Sequence, residues 1–128
     1  RGQLQPLNTD IHFDAYIQKA QAYIEQNIHD PELNVAQVAE VVYLNAAYFG
    51  RLFKSKVGVS FRRYLVRQRI QMAKDLLLND AYEIQEISER VGILNPSYFS
   101  QVFKQEVGCL PSEYKQKLEV KGNEKTAL

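Results

Sequence analysis

The sequence predicts an all-α protein of about seven helices, arranged as two helix-turn-helix subdomains joined by a long linker helix. Three observations predict it. Apolar residues recur at spacings of three and four along most of the 128 residues, the six glycines and four prolines fall mainly between those stretches, and a segment of the chain occurs twice. No stretch alternates apolar and polar residues long enough for a strand.

Taken in order, residues 1–13 carry Gly2 and Pro6 without clear periodicity and read as a linker from a missing upstream domain; a start at Arg1 instead of methionine reads as a piece of a longer protein or a processed chain. Asp14 is the expected N-cap of the first helix, whose Ile17, Ala20, Ile24 and Ile28 share one face until Pro31 forbids continuation. A short second helix follows Asn34, with Val35, Val38, Ala39 and Val42 inward. The third starts after Asn45, buries Phe49, Leu52, Phe53 and Val57, and stops at Gly58, which can take the left-handed conformation of a helix end. These make a first subdomain, 14–58. The connecting helix, 59–79, runs from Ser60 as cap to Leu78, with Phe61, Leu65, Ile70, Ala73, Leu76 and Leu77 apolar. A second subdomain, 80–118, holds a helix over about 83–91, a sixth that opens at Asn95 with Pro96 in its first turn and ends at Gly108, and a last one from Pro111 to Leu118. Residues 119–128 are polar and small, and are expected to be a disordered tail.

Composition removes several classes of function. Sixteen basic against fifteen acidic residues leave a net charge of +1, so any electrostatic argument rests on placement. Apolar runs such as Leu76-Leu77-Leu78 fall far short of the roughly 20 residues a membrane span needs, and no signal-peptide pattern opens the chain, which argues against a membrane or secreted protein. One cysteine, Cys109, makes no internal disulfide, and with His12 and His29 it cannot complete a four-ligand zinc site. No cofactor or metal is expected. An enzyme has almost no support either, for there is no glycine-rich phosphate loop and no nucleophile–base pair; His12 falls in the linker, His29 at a helix end, and Cys109 reads as a small packed residue.

The repeat carries the functional argument. Residues 44–64 laid over 94–114 give nine identities, among them Asn45/Asn95, Tyr48/Tyr98, Phe49/Phe99, Phe53/Phe103, Lys54/Lys104, Gly58/Gly108 and Tyr64/Tyr114, with Leu44 matched to Leu94. Upstream, Val35, Val38 and Val42 match Ile84, Ile87 and Val91 at an offset of 49, so the second copy has one extra residue in its turn. A short helix, a tight turn and a second helix is the plan in which the second helix enters the DNA major groove, and it equally serves as plain packing. The side chains have to decide.

On the third helix the apolar positions leave Ala47, Gly50, Arg51 and Lys54 outward. Small residues admit a groove wall or a thymine methyl, and arginine can donate two hydrogen bonds to a guanine edge. The competing reading is that Gly50 permits close packing against another helix. The matching face of the sixth helix is Ser97, Ser100, Gln101 and Lys104, which suits base edges or phosphates and also suits an ordinary solvated surface. Residues 41–74 hold Arg51, Lys54, Lys56, Arg62, Arg63, Arg67, Arg69 and Lys74 with no acidic residue, whereas 75–114 hold two bases against seven acids, including Asp80, Glu83, Glu86 and Glu89. The first copy therefore has the electrostatic footprint for phosphate, with Lys56, Arg62, Arg63, Lys104 and the amides at Asn34, Val35 and Glu83 as backbone contacts, and the second a weaker one. Arg69, beside Ile70 and Ala73, reads as pairing with an internal carboxylate. A connector about 28 Å long at roughly 1.5 Å per residue would let the two outward helices enter adjacent major grooves about 34 Å apart.

Tyr48-Phe49-Gly50-Arg51-Leu52-Phe53-Lys54, then Gly58, Phe61, Tyr64-Leu65, Arg69, Ala73 and Leu76-Leu77, then Ile87, Val91-Gly92, Ser97-Tyr98-Phe99, Phe103-Lys104, Gly108, Pro111 and Glu113-Tyr114 resemble the DNA-binding domain of the AraC/XylS family of bacterial transcription regulators. The resemblance covers about residues 15–115. It implies a transcription factor that binds a bipartite operator in double-stranded DNA, with the third and sixth helices as recognition helices, fused to a sensing or dimerising domain. Three positions depart from the family pattern: Ile93 and Leu94 replace an aromatic after the glycine of the second turn, Gln101 stands where arginine is frequent, and Leu110 where a small hydroxyl residue caps the last helix. Gln101 argues against a guanine contact by the second unit. The alternative is an interaction module of the same fold that docks RNA polymerase or another regulator through its acidic half and binds DNA without preference.

Overall fold

The computed structural model describes the backbone of residues 4–127 and the side chains of residues 13–120. Within that range the chain forms seven helices: α1 (Leu4–Gln26), α2 (Val35–Val41), α3 (Ala46–Val57), α4 (Phe61–Leu77), α5 (Ile84–Arg90), α6 (Pro96–Val107) and α7 (Pro111–Ala127). They divide into two compact units, one reaching through Ile28 and then Glu32–Leu65, the other His29–Pro31 with Val66 onward. The division falls inside α4, so the connecting helix expected at 59–79 is no separate element: its first turn closes one unit and its remainder opens the next.

Helix ends obey local chemistry. Asn34 and Gln37 form a reciprocal capping box on α2, with Gln37 N–H to Asn34 Oδ1 at 3.0 Å and Asn34 N–H to Gln37 Oε1 at 3.2 Å. Ser60 Oγ accepts from Arg63 N–H at 3.2 Å, as expected of the α4 cap. Gly58 and Gly108 end α3 and α6 with φ of 96° and 100°, and each N–H returns to the carbonyl of Lys54 or Lys104. At α7 the missing hydroxyl of Leu110 is offset from the other side, since Glu113 Oε1 accepts the Leu110 N–H at 2.8 Å.

Two boundaries differ from the sequence reading. α1 begins at Leu4, so Asp14 is mid-helix and not a cap, and residues 4–13 of the supposed linker are helical. Pro6 lies in the first turn, where its missing N–H breaks no helical bond, and Phe13 ties the upstream half down by setting its ring edge-on to Tyr48, 6.3 Å between centroids. Residues 1–3 and the His12 side chain lie outside the described residues. At the other end, α7 continues through the expected tail to Ala127, since Gly122 lowers helix propensity by about 1 kcal/mol without forbidding the conformation.

The repeat reaches further upstream than the stretch from Val35 to Tyr64 that the sequence matches to its second copy. Ile17, Ala20 and Ile24 of α1 and Ile70, Ala73 and Leu77 of α4 are buried at a common offset of 53, so each unit consists of three helices closed by the start of a fourth. The first core gathers Ile17, Ala20, Ile24, Val38, Phe49, Phe53, Phe61 and Leu65; the second gathers Ile70, Ala73, Leu77, Ile87, Val91, Ile93, Phe99, Val102 and Phe103. Ring geometry repeats too. Phe49 and Phe53 lie 5.7 Å apart and Phe99 and Phe103 5.9 Å, while Tyr64 and Tyr114 meet the second phenylalanine edge-on at 5.2 and 5.6 Å. Burial raises the Tyr64 pKa above its ordinary value, opposed by a hydrogen bond with Gln21, so the phenol stays neutral in its core position.

The turns also show which residues correspond. Leu44 N–H bonds to Ala39 O and Ile93 N–H to Ser88 O, both at 3.0 Å, so Leu44 is the counterpart of Ile93, and Leu94 is the extra residue, 62% exposed. The identity of Leu44 with Leu94 is coincidental. One position earlier, Tyr43 holds φ 59° where the second copy has Gly92 at φ 81°. A left-handed tyrosine costs about 1–2 kcal/mol that glycine avoids. Tyr43 is 89% exposed, its ring lying 5.7 Å from Lys19 Nζ. Tyr43→Gly is therefore expected to raise unfolding stability by about 1 kcal/mol in a urea titration; a loss of stability would mean that the Lys19 contact outweighs the backbone strain.

Candidate nucleic-acid interface

Both outward helices are fixed at their first turn by an asparagine. Asn45 Oδ1 accepts from Ala47 N–H and Tyr48 N–H at 2.9 and 3.1 Å, and Asn95 Oδ1 from Tyr98 N–H at 3.1 Å. The phenylalanine pairs hold the opposite side of each helix, so what remains outward is determined by helical spacing alone. Ala47, Arg51 and Lys54 are exposed and Gly50 is half-buried; Ser97, Gln101 and Lys104 are exposed and Ser100 is half-buried. The structure thus brings the expected residues together as two faces of identical register, one on each unit.

Gly50 decides between two readings of its face. A Cβ built there would meet nothing within 4 Å, so no neighbouring helix requires the glycine. Arg51 and Lys54 form no ion pair among the described residues, nor does Arg62. The remaining basic residues are distributed differently from the sequence reading. Lys56 lies on the far side of α3, half-buried, with Nζ 3.4 Å from Asp14 Oδ1. Arg67 approaches Glu106 at 3.9 Å, the same inter-helix position with the charges exchanged. Arg69 is buried and donates from its guanidinium to the Asp30 carbonyl at 2.7 Å; burial lowers its pKa, opposed by the charge of the Asp30 carboxylate. Arg51, Lys54 and Arg62 are thus exposed without an ion pair among the described residues, and Arg63, beside Arg62 in the first turn of α4, is exposed as well.

The helix starts proposed for phosphate contacts are unequal. The capping box on α2 uses the N–H groups of Asn34 and Gln37 and leaves those of Val35 and Ala36 outside it. At α5, Glu83 and Glu86 already place carboxylates on the positive helix end, with Glu83 N–H to Glu86 Oε1 at 3.4 Å, which disfavours a phosphate there. Sequence reasoning missed four exposed residues bordering the two faces, Tyr48 and Ser55 on α3 and Tyr98 and Gln105 on α6. Ser55 and Gln105 stand four residues beyond Arg51 and Gln101, a spacing that could have found them.

Residues 28–117, more than half the chain, match the family model described as a helix-turn-helix domain. The chain belongs to the AraC-type helix-turn-helix family. Members of this family are DNA-binding transcription regulators. Regulatory protein PocR of Salmonella typhimurium is 35% identical over 105 residues, covering 82% of this chain and 34% of PocR. Among solved structures, the C-terminal domain of AraT, a response regulator from Geobacillus stearothermophilus, has a TM-score of 0.77 at 33% identity, covering 80% of this chain and 84% of that one. The DNA-binding domain of AdpA, a global transcriptional factor solved with a target DNA, shares the fold with a TM-score of 0.77 at 24% identity, covering 82% of this chain and 94% of that one. The chain spans about a third of the length of the curated relatives it matches. Among its described residues no helix is long and apolar enough to cross a membrane.

Because nothing inside this AraC-type domain occupies the space over Gly50, Gly50→Ala is expected to raise stability by about 1 kcal/mol. Equilibrium urea unfolding checks it, and a destabilised variant would show that the glycine has an internal role.

Proposed function

We propose that this domain binds double-stranded DNA sequence-specifically as part of a cytoplasmic bacterial transcription regulator, with α3 and α6 each reading a major groove. The observation that carries the reading is the outward face of α3. A helix-interior glycine with no internal cause, next to an arginine without an ion partner, suits close approach to a groove wall with a bidentate guanine contact. In this reading Ala47, Gly50 and Arg51 line the base edges of one groove and Ser97, Ser100 and Gln101 those of the next. Arg62, Arg63, Lys104 and the amide of Val35 would contact phosphate, with Lys54 on either. Lys56 contributes only if its bridge to Asp14 opens.

The two units are not equal partners. The first has Arg51, Lys54 and Arg62 without an ion pair among the described residues, whereas the exposed carboxylates of Glu83, Glu86 and Glu89 surround the second. Affinity would therefore come chiefly from α3, and α6 would add a second element, with glutamine suited to adenine. The sensing or dimerising part, a bipartite operator and contact with RNA polymerase belong to the same proposal, in keeping with the relatives' greater length.

Selection from a random duplex pool should return two short elements about one helical turn apart. Enrichment of nothing by the folded domain would overturn the reading. Arg51→Ala should cost about 1–3 kcal/mol and relax preference at one base pair, more than Gln101→Ala costs; the reverse ranking, read by fluorescence anisotropy at fixed salt, would contradict the dominance of the first unit. Gly50→Ala, although more stable, should bind the selected duplex more weakly.

A further inference from the structure

The two copies permit an internal comparison of what each outward helix presents. Inward positions are alike because both build the same core. Outward positions fall into two classes. Ala47/Ser97, Gly50/Ser100, Arg51/Gln101 and Ser55/Gln105 differ between the copies, whereas Tyr48/Tyr98 and Lys54/Lys104 are identical and exposed in both. Caps and glycine stops are also identical, but those have a structural task; the lysine side chains have none, and of the two tyrosines Tyr48 meets Phe13 edge-on through its ring while its hydroxyl has no such use.

Tyr48 and Tyr98 are the third residues of α3 and α6, 39% and 47% exposed beside fully buried Phe49 and Phe99. The asparagine caps hold their backbone N–H groups, which fixes where each ring leaves the helix. Neither phenol hydroxyl has a hydrogen-bond partner among the described residues. At about 100° per residue each ring lies roughly 60° round the helix from Arg51 or Gln101, on the flank of the reading face. Lys54 and Lys104 stand in the last turns, six residues on, or roughly 9 Å along the axis at about 1.5 Å per residue. The major groove is about 12 Å wide, so a helix crossing it has one of these groups towards each bordering strand.

Groups that differ between two reading helices suit bases that differ between two half-sites. Groups that are the same suit what every duplex repeats, its phosphodiester chain. We infer that Tyr48 with Lys54, and Tyr98 with Lys104, form equivalent phosphate clamps that set the register of α3 and α6, each phenol donating a hydrogen bond to a phosphate oxygen near the start of its helix. This rests on the DNA-binding reading above, and it moves Lys54 from base reading to backbone positioning.

The test measures binding of the domain to its selected duplex, to every single-base variant of that duplex, and across a salt series. Tyr48→Phe and Tyr98→Phe keep the ring and remove only the hydroxyl; each is expected to weaken binding roughly three- to tenfold, equally for all duplexes, with the salt slope unchanged. Lys54→Gln and Lys104→Gln should also weaken binding uniformly, with a slope shallower by about one. Unchanged affinity of the Tyr48→Phe/Tyr98→Phe double variant would overturn the clamp, as would a loss confined to one base pair. Failure of the DNA reading has a different signature, absence of binding by the unaltered domain.

Discussion

The edge-to-face contact of a tyrosine on the second phenylalanine of each outward helix is the constraint on which the remainder depends. Tyr64 on Phe53 and Tyr114 on Phe103 couple the outward helix to the helix that follows it, across a left-handed glycine that leaves only a three-residue turn. Phe53 is further held by Phe49 and Phe61, at 5.7 Å from each. Burying a phenylalanine contributes about 1.5–3 kcal/mol, and aromatic pair geometry adds about 0.5–1.5 kcal/mol. The rotation of α3 and α6 about their own axes is thereby fixed. Which side chains face outward is a consequence of that rotation, so the core determines the interface without contributing a residue to it.

The same economy shapes α4. Its first turn supplies Phe61, Tyr64 and Leu65 to one unit and its later turns supply Ile70, Ala73 and Leu77 to the other. A helix with both duties has apolar residues that serve two different environments, and its exposed surface is correspondingly rich in arginine and lysine. One of those cations is withdrawn from solvent by folding, Arg69 donating to the Asp30 carbonyl, while Arg67 stays half exposed 3.9 Å from Glu106.

Much of the fold was legible because its punctuation is chemical. Asn45 and Asn95 before an apolar run, Gly58 and Gly108 after it, and Pro96 in a first turn each have one local meaning. Other features had no such mark. Asp14 resembles a cap and so misplaces the start of α1, while Phe13, just upstream of it, acts through tertiary contact with Tyr48. The kinship of α1 with α4 rests on a single three-residue apolar pattern, recognisable only once both are seen buried at the same depth. The match of Leu44 to Leu94 misled for the opposite reason, since identity of type concealed a difference of place that the turn hydrogen bonds reveal. The outward faces of α3 and α6 follow from spacing, but spacing says nothing about which cations pair inside the protein, and so it does not reveal that Lys56 bridges to Asp14.

The distribution of change between the two copies carries the functional argument one step further. A duplicated unit that served only as packing would be free to drift on its exposed face and constrained within, and its exposed lysines and tyrosines would drift with the rest. Here the exposed face changes at four positions and holds at two, in register, on helices whose backbone starts and stops agree to a few degrees of φ at the terminal glycine. Under the proposed function that division follows from two units gripping the same polymer while reading different stretches of it, because a phosphodiester backbone makes one demand everywhere and base edges make a different demand at each site.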